Sequence, residues 1–270
     1  MMKKYILLSI FLICAVFTNA QSKYPTIVIE TNYGTMKAVL YEDTPTHSNH
    51  YLKLINQGYF NGTLFHRVIK NFMIQGGAQD SRNAPAGAQI GSGRRDMDLM
   101  PEFKENRFHK KGALAAPRRG DDENPQKKSD GSQFYIVHGN VYTQGRLDTM
   151  EMAVNVPIKN KIIKDHYMPH SQELARLKES DASAFNALLD SVLHVVDSLY
   201  EKAPGKFFFP EGLKEAYSTI GGSHHLDGEY TVFGEVIEGL DVIDKIAALA
   251  VDNNSRPKTD AKILKMYVEN

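Results

Sequence analysis

The sequence has no tryptophan and a single cysteine, Cys14, among its 270 residues. One thiol cannot form an internal disulfide, so stability has to come from a packed core, for which this length is ample. The histidine pairs His47/His50 and His224/His225 lack a companion cysteine or carboxylate cluster at metal-ligand spacing. They are expected to be solvated or to sit at a pocket rim, with no metal. An excess of either charge is also missing, since Lys+Arg and Asp+Glu both number 32. Without a global field or a long basic run, nucleic acid is excluded as a partner, and Arg94-Arg95 and Arg118-Arg119 are too short to change that. No glycine-rich loop is built to cradle phosphate.

Long apolar runs are equally scarce. The longest, Tyr5 to Phe17, falls short of the ~20 residues that a membrane span needs. It follows the basic start Met1-Met2-Lys3-Lys4 and precedes the short residues Thr18-Asn19-Ala20. That layout is an export signal over residues 1–20, cleaved between Ala20 and Gln21, and it predicts a periplasmic or secreted protein. Lipid attachment at Cys14 is the lesser alternative, because Ile13 is bulkier than the small residue such processing requires. Losing Lys3 and Lys4 leaves 30 basic against 32 acidic residues, a formal balance of −2, and no cysteine.

What the sequence does contain is a succession of short strands. Thr26 to Glu30 and Thr35 to Tyr41 flank Asn32-Tyr33-Gly34, which reads as a hairpin. Thr44-Pro45-Thr46 can start a helix carrying Tyr51, Leu52, Leu54 and Ile55 at helical spacing, with Gly58 as its stop. After a long loop from Ala78 to Asn106, further strands fall at Gly112–Pro117, Gly131–His138, Tyr230–Val236 and Lys262–Val268, and a second helix at Leu240–Ala250. About eight strands and two helices without βαβ alternation predict a mainly β fold, a closed eight-stranded antiparallel barrel capped by two helices.

The stretch from Phe65 to Gly77 carries the chemistry. Arg67 interrupts its first apolar run and Gln75 closes the second, followed by the doublet Gly76-Gly77. Burying such polar ends costs free energy unless they are paired or face a cleft. Together with Phe72 and Met73 they suit a pocket for an apolar group bearing a carbonyl, as proline in a peptide does. Taken singly, Arg67 fits a salt-bridged strand residue, Phe72 and Met73 fit the core, and Gln75 fits a turn. Their joint spacing favours a site.

These residues resemble the cyclophilin family of peptidyl-prolyl cis-trans isomerases. Four islands carry the resemblance: residues 65–77; Gly112-Ala113-Leu114-Ala115-Ala116; Gly131-Ser132-Gln133-Phe134-Tyr135-Ile136; and Leu226-Asp227-Gly228 with Val232-Phe233-Gly234-Glu235-Val236. The resemblance implies the same eight-stranded barrel and a rotamase that needs no cofactor. It further implies that Arg67 is the catalytic arginine and that Gln75 orients it. Phe72, Met73, Tyr135 and Leu226 would be the walls of the proline pocket, and Gln133 a partner of the substrate main chain. His225 stands where eukaryotic members often have tryptophan, and Tyr230 where the family often has histidine. Both keep the rim aromatic and weigh against tight cyclosporin binding. Pro117-Arg118-Arg119 replaces a small-residue segment beside the groove. The partners implied are proline-containing peptides and unfolded exported proteins, handled by a monomer assisting their folding. The rival readings are a proline-peptide binding or chaperone module whose catalysis is vestigial, and an inert barrel.

The domain spans residues 21–270 and is interrupted by an insertion at about 144–221. Asp181-Ala182-Ser183 caps a helix with Phe185, Leu188, Leu189, Val192, Val196 and Leu199 at helical intervals, stopped by Pro204-Gly205. Lys159 to Lys178 reads as a second helix, broken near Met168-Pro169. The pair is expected to form a hairpin packed on the barrel, either as decoration or as a contributor of substrate contacts, with Phe207-Phe208-Phe209-Pro210 buried beneath it.

Overall fold

The structure is a computed structural model that describes residues 24–92 and 97–269. The expected export signal, its cleavage point and Cys14 lie outside the described residues. Among the described residues no helix is long and apolar enough to cross a membrane.

The chain opens with the hairpin β1 (Ile27–Thr31) and β2 (Gly34–Leu40), then α1 (Pro45–Asn56). Proline at the first turn of α1 suits a position whose N–H has no helical partner. The Glu102 carboxylate accepts from the Thr46 and His47 N–H groups, both at 3.0 Å, and so caps that helix from a distant loop. His47 is buried, with its ring on Glu102 and Ser129, and His50 Nε2 meets the Gly131 carbonyl. The first histidine pair is therefore structural rather than solvated.

Next come β3 (Phe65–Ile69), β4 (Met73–Gly76), β5 (Asp98–Leu99), β6 (Ala113–Ala115), β7 (Ser129–Asp130) and β8 (Phe134–Val137). Four helices follow: α2 (Gln144–His166), α3 (Ser171–Ser180), α4 (Ala182–Lys202) and α5 (Glu211–Thr219). The chain then returns through β9 (Val232–Glu238), α6 (Leu240–Ala247) and β10 (Ile263–Val268). Eight strands form one antiparallel sheet in the order β10-β1-β2-β9-β6-β8-β4-β3, while β5 and β7 pair separately. Helix α1 packs against β9 and β10, and α6 against β2, β3 and β4.

Two expectations are corrected here. The sheet curls into a half-barrel but does not close. The register of β3 against β4 shifts between Phe65 and Arg67, and among the described residues the edge strands β3 and β10 meet through the single bridge Leu64↔Lys262 and a few neighbouring bonds. Nor is the fold mainly β, because the segment between β8 and β9 contributes four helices rather than a hairpin, and helices outweigh strands.

Period-two alternation gives the sheet two apolar faces. Val68, Ile74, Phe134 and Ile136 point inward to the main core, where Tyr51 stacks on Phe233 at 4.0 Å. Met73, Tyr135 and Val137 point outward and form a second cluster with Tyr41, Leu226 and Val232. A third cluster of Leu147, Phe209, Leu213 and Tyr217 fastens α2 and α5 to Phe108 and Tyr142. Asp181 caps α4 as expected, accepting from Ser183 and Ala184 at 3.0 Å. Helix α4 packs on α2 and α3 and buries Val192 and Val196, leaving Leu199 exposed. Of the three phenylalanines expected to be covered, only Phe209 is, at 9% exposure; Phe208 is 61% exposed.

The returning chain passes through a narrow place. A Cβ on Gly222 would lie 2.0 Å from the Tyr217 ring and 2.5 Å from the His109 carbonyl oxygen. Backbone cannot yield as a side chain does, so Gly222→Ala should cost ~3 kcal/mol, at the upper end of overpacking. Thermal unfolding should register this as a drop of roughly 6–12 °C in midpoint.

Candidate active site

The β3-β4 hairpin turns at Asn71, whose φ of 64° lies in the left-handed region that asparagine tolerates. Its N–H donates to His138 Nδ1 at 3.0 Å. The register sets Arg67 opposite Gln75 and Gln75 opposite Tyr135. Cross-strand partners share a face, so all three side chains stand on the outward apolar cluster. Phe72, Met73, Tyr135, Leu226 and Tyr230 all belong to that cluster. His225 lies at its exposed margin, with its ring 5.3 Å from that of Phe72.

A polar line runs along the edge of this apolar surface. Arg67 Nη1 donates to Gln75 Oε1 at 3.3 Å and also approaches Met73 Sδ at 4.0 Å. Gln75 Nε2 donates to Gln133 Oε1 at 2.9 Å, and Gln133 Nε2 donates to the Gly91 carbonyl at 3.2 Å. Gln133 is buried with both amide atoms engaged, so its side chain stands behind Gln75 and orients it. The half-buried Arg67 has its pKa lowered by loss of water, yet a guanidinium remains charged at any physiological pH. The site thus presents a fixed cation beside an apolar, aromatic and thioether surface. Gln75 and Gln133 also line a polar hollow of about 340 Å³ with Pro117 and Arg118.

The sequence reading assigned no role to the group that holds the pocket wall from behind. Tyr135 OH meets His109 Nε2 at 2.9 Å, and His109 Nδ1 meets Asp227 Oδ1 at 2.9 Å. Asp227 also accepts from the His109 backbone N–H at 2.8 Å and from Tyr217 OH at 2.6 Å. Burial lowers the His109 pKa against the opposing pull of Asp227. A neutral ring with Nδ1–H toward Asp227 can accept the Tyr135 hydroxyl proton at Nε2, which satisfies every member of the line. Asp227 falls in the Leu226-Asp227-Gly228 island, where the resemblance implies no role for it, and Tyr217 lies in the insertion, where no motif marks it.

Arg118 also finds an unforeseen place. Its guanidinium lies 4.6 Å from the Tyr230 ring centroid and donates to the Glu229 carbonyl and carboxylate at 2.7 and 2.8 Å. It therefore braces the pocket rim. Among the described residues no group of three or more His, Cys, Asp or Glu is placed to hold a metal ion.

The sequence profile of the family described as "Cyclophilin type peptidyl-prolyl cis-trans isomerase/CLD" matches residues 26–154 and 214–268, more than half of the chain. The protein is a cyclophilin. The unmatched residues between these two segments fall within α2 to α5. A protein of Streptococcus pyogenes serotype M6, named for a bifunctional phosphatase/peptidyl-prolyl cis-trans isomerase, is 28% identical over 88% of this chain. The match spans only 37% of that longer protein. Peptidyl-prolyl cis-trans isomerase-like 1 of Mus musculus is 24% identical, covering 90% of this cyclophilin and 92% of the mouse protein. A Cryptosporidium parvum cyclophilin type isomerase, crystallised in the presence of the dipeptide Ala-Pro, is similar in fold with a TM-score of 0.51. That alignment is 18% identical and covers 91% of this chain and 99% of the other.

Proposed function

We propose that this cyclophilin accelerates rotation about Xaa-Pro bonds at the surface formed by Arg67, Gln75, Phe72, Met73, Tyr135, Leu226 and Tyr230. The observation that carries the reading is the Arg67 guanidinium, oriented by Gln75 at the edge of an apolar cluster. The prolyl bond resists rotation because resonance gives its C–N bond double-bond character, with a barrier of ~20 kcal/mol. Spontaneous exchange therefore takes on the order of tens to hundreds of seconds. As the bond twists, conjugation is lost and the nitrogen becomes pyramidal, so that it can accept a hydrogen bond. Arg67 donating there, or to the turning carbonyl, favours the twisted state over either planar one. Apolar walls hold the pyrrolidine ring while the carbonyl moves. No proton changes hands and no covalent intermediate forms, so the residues already present suffice.

The substrate in this reading is a proline-containing peptide, a class that fits the fold relative crystallised in the presence of Ala-Pro. An isomerisation assay on proline tetrapeptides tests it, and a wild-type rate at background would end it. We extend the proposal to a monomer that serves the folding of exported proteins. It is supported by the basic start and apolar run before Ala20. Fractionated cells should yield a mature chain beginning at Gln21 by mass spectrometry; a chain retaining Met1 in the cytoplasm would overturn that part.

A further inference from the structure

A second hollow of about 560 Å³ adjoins the turn at residues 223–228. Phe108, Met150, Val154, Phe207 and Phe208 give it an aromatic and aliphatic lining. Phe208 and Val154 are 61% and 57% exposed, an unusual concentration of apolar surface in water. The exposure is fixed rather than slack. Asn155 accepts from the Phe207 N–H at 2.7 Å and donates to its carbonyl at 2.8 Å, while Glu151 accepts from the Phe209 N–H at 2.7 Å. Both polar side chains are buried on α2. They clamp the backbone on either side of Phe208 and leave its ring outward.

The hollow neighbours the proline site. His224 is part of its wall; its ring lies 6.0 Å from that of His225, which lies 5.3 Å from that of Phe72. An extended chain advances ~3.3 Å per residue, so roughly four residues beyond a bound proline reach it. Its rim carries both signs, Lys104 and Glu105, and so does not select a charged ligand. We infer that this hollow binds an apolar, aromatic-containing segment of the same client polypeptide whose proline occupies the Arg67 site. The inference rests on the isomerase reading and gives that site its substrate class: unfolded chains with an aromatic segment a few residues from proline.

The test uses the whole mature chain as wild type, Phe208→Ser and Val154→Asp, both outward-facing positions whose folding is checked by circular dichroism. Substrates are a proline tetrapeptide and the same peptide lengthened on either end by a short polar spacer and Phe-Leu-Phe. Seating one aromatic ring should raise wild-type kcat/KM ~tenfold for the better of the two lengthened peptides. Both variants should lose most of that gain and keep the tetrapeptide rate. A labelled, proline-free Phe-Leu-Phe peptide should bind wild type ~tenfold more tightly than Phe208→Ser. Equal gains in wild type and variants, or no gain and no such binding, would overturn the inference. If wild type turns over neither substrate yet binds the proline-free peptide through Phe208, the isomerase reading fails and the aromatic site stands. Sedimentation showing a dimer abolished by Phe208→Ser would assign the hollow to a second copy and also overturn it.

Discussion

Arg67→Ala is expected to lower kcat/KM for proline tetrapeptides by ~10²–10³, the cost of removing one preorganised donor aimed at a transition state. The corresponding loss is about 3–4 kcal/mol of transition-state stabilisation. Little of it should appear as instability. Arg67 is half-buried, and its hydrogen-bond partners are the Gln75 amide and the Met73 thioether, so its removal exposes these to cleft water rather than stranding a charge. Arg67→Lys should recover only a small part of the rate, because an ammonium cannot keep one donor on Gln75 while holding a planar fork toward the substrate. Line-shape or coupled-protease assays measure the rate, and thermal unfolding within a few degrees of wild type shows that the fold has survived. An alanine variant retaining more than half the activity would remove Arg67 from the mechanism.

The strands of the curled sheet, and the grouping of Arg67, Gln75, Met73 and Tyr135 on one face, were legible because their signals are local. Strand alternation, Pro45 at a helix start and the spacing from Arg67 to Gln75 each fix a structure within a few residues. The edges were not legible: whether β3 and β10, the two ends of the sheet, pair with one another is a contact between segments far apart in sequence, which no period reveals. Helix α2 was half missed because its buried positions include Glu151 and Asn155, which are used to clamp residues 207–209. A polar residue facing inward erases the apolar stripe by which a helix is read. The same holds for His109 and Tyr217, whose meaning comes from Asp227 at a distance in sequence. Gln133 was identified by motif, but its hydrogen bonds to Gln75 and to the Gly91 carbonyl appear only in the structure.

Asp227→Ala should be the most destabilising single change near the site. One carboxylate satisfies three donors: the His109 backbone N–H, His109 Nδ1 and Tyr217 OH. His109 and Tyr217 are fully buried, so alanine leaves all three donors without their acceptor, beside the hollow that Asp227 lines. Each stranded buried donor costs ~1–3 kcal/mol, and because the Asp227 side chain is itself 22% exposed, so that water can reach part of the gap, the chemical-denaturation free energy should fall by ~3 kcal/mol, the lower end for three donors. Tyr217→Phe removes a single donor and keeps the ring packed, so it should cost only ~1 kcal/mol. The comparison separates the carboxylate's role from that of the insertion. Acid should act in the same direction as Asp227→Ala. Burial lowers the His109 pKa below its ordinary 6.5 and takes that of His66 down to about 4. Between those pH values the unfolded chain binds protons that the folded one refuses. The histidine contribution is therefore complete above about pH 6.5 and is lost progressively as pH falls toward 4. If Asp227→Ala unfolds at the same denaturant concentration as wild type at pH 7.5, the line from Tyr217 to Tyr135 does not support the pocket wall.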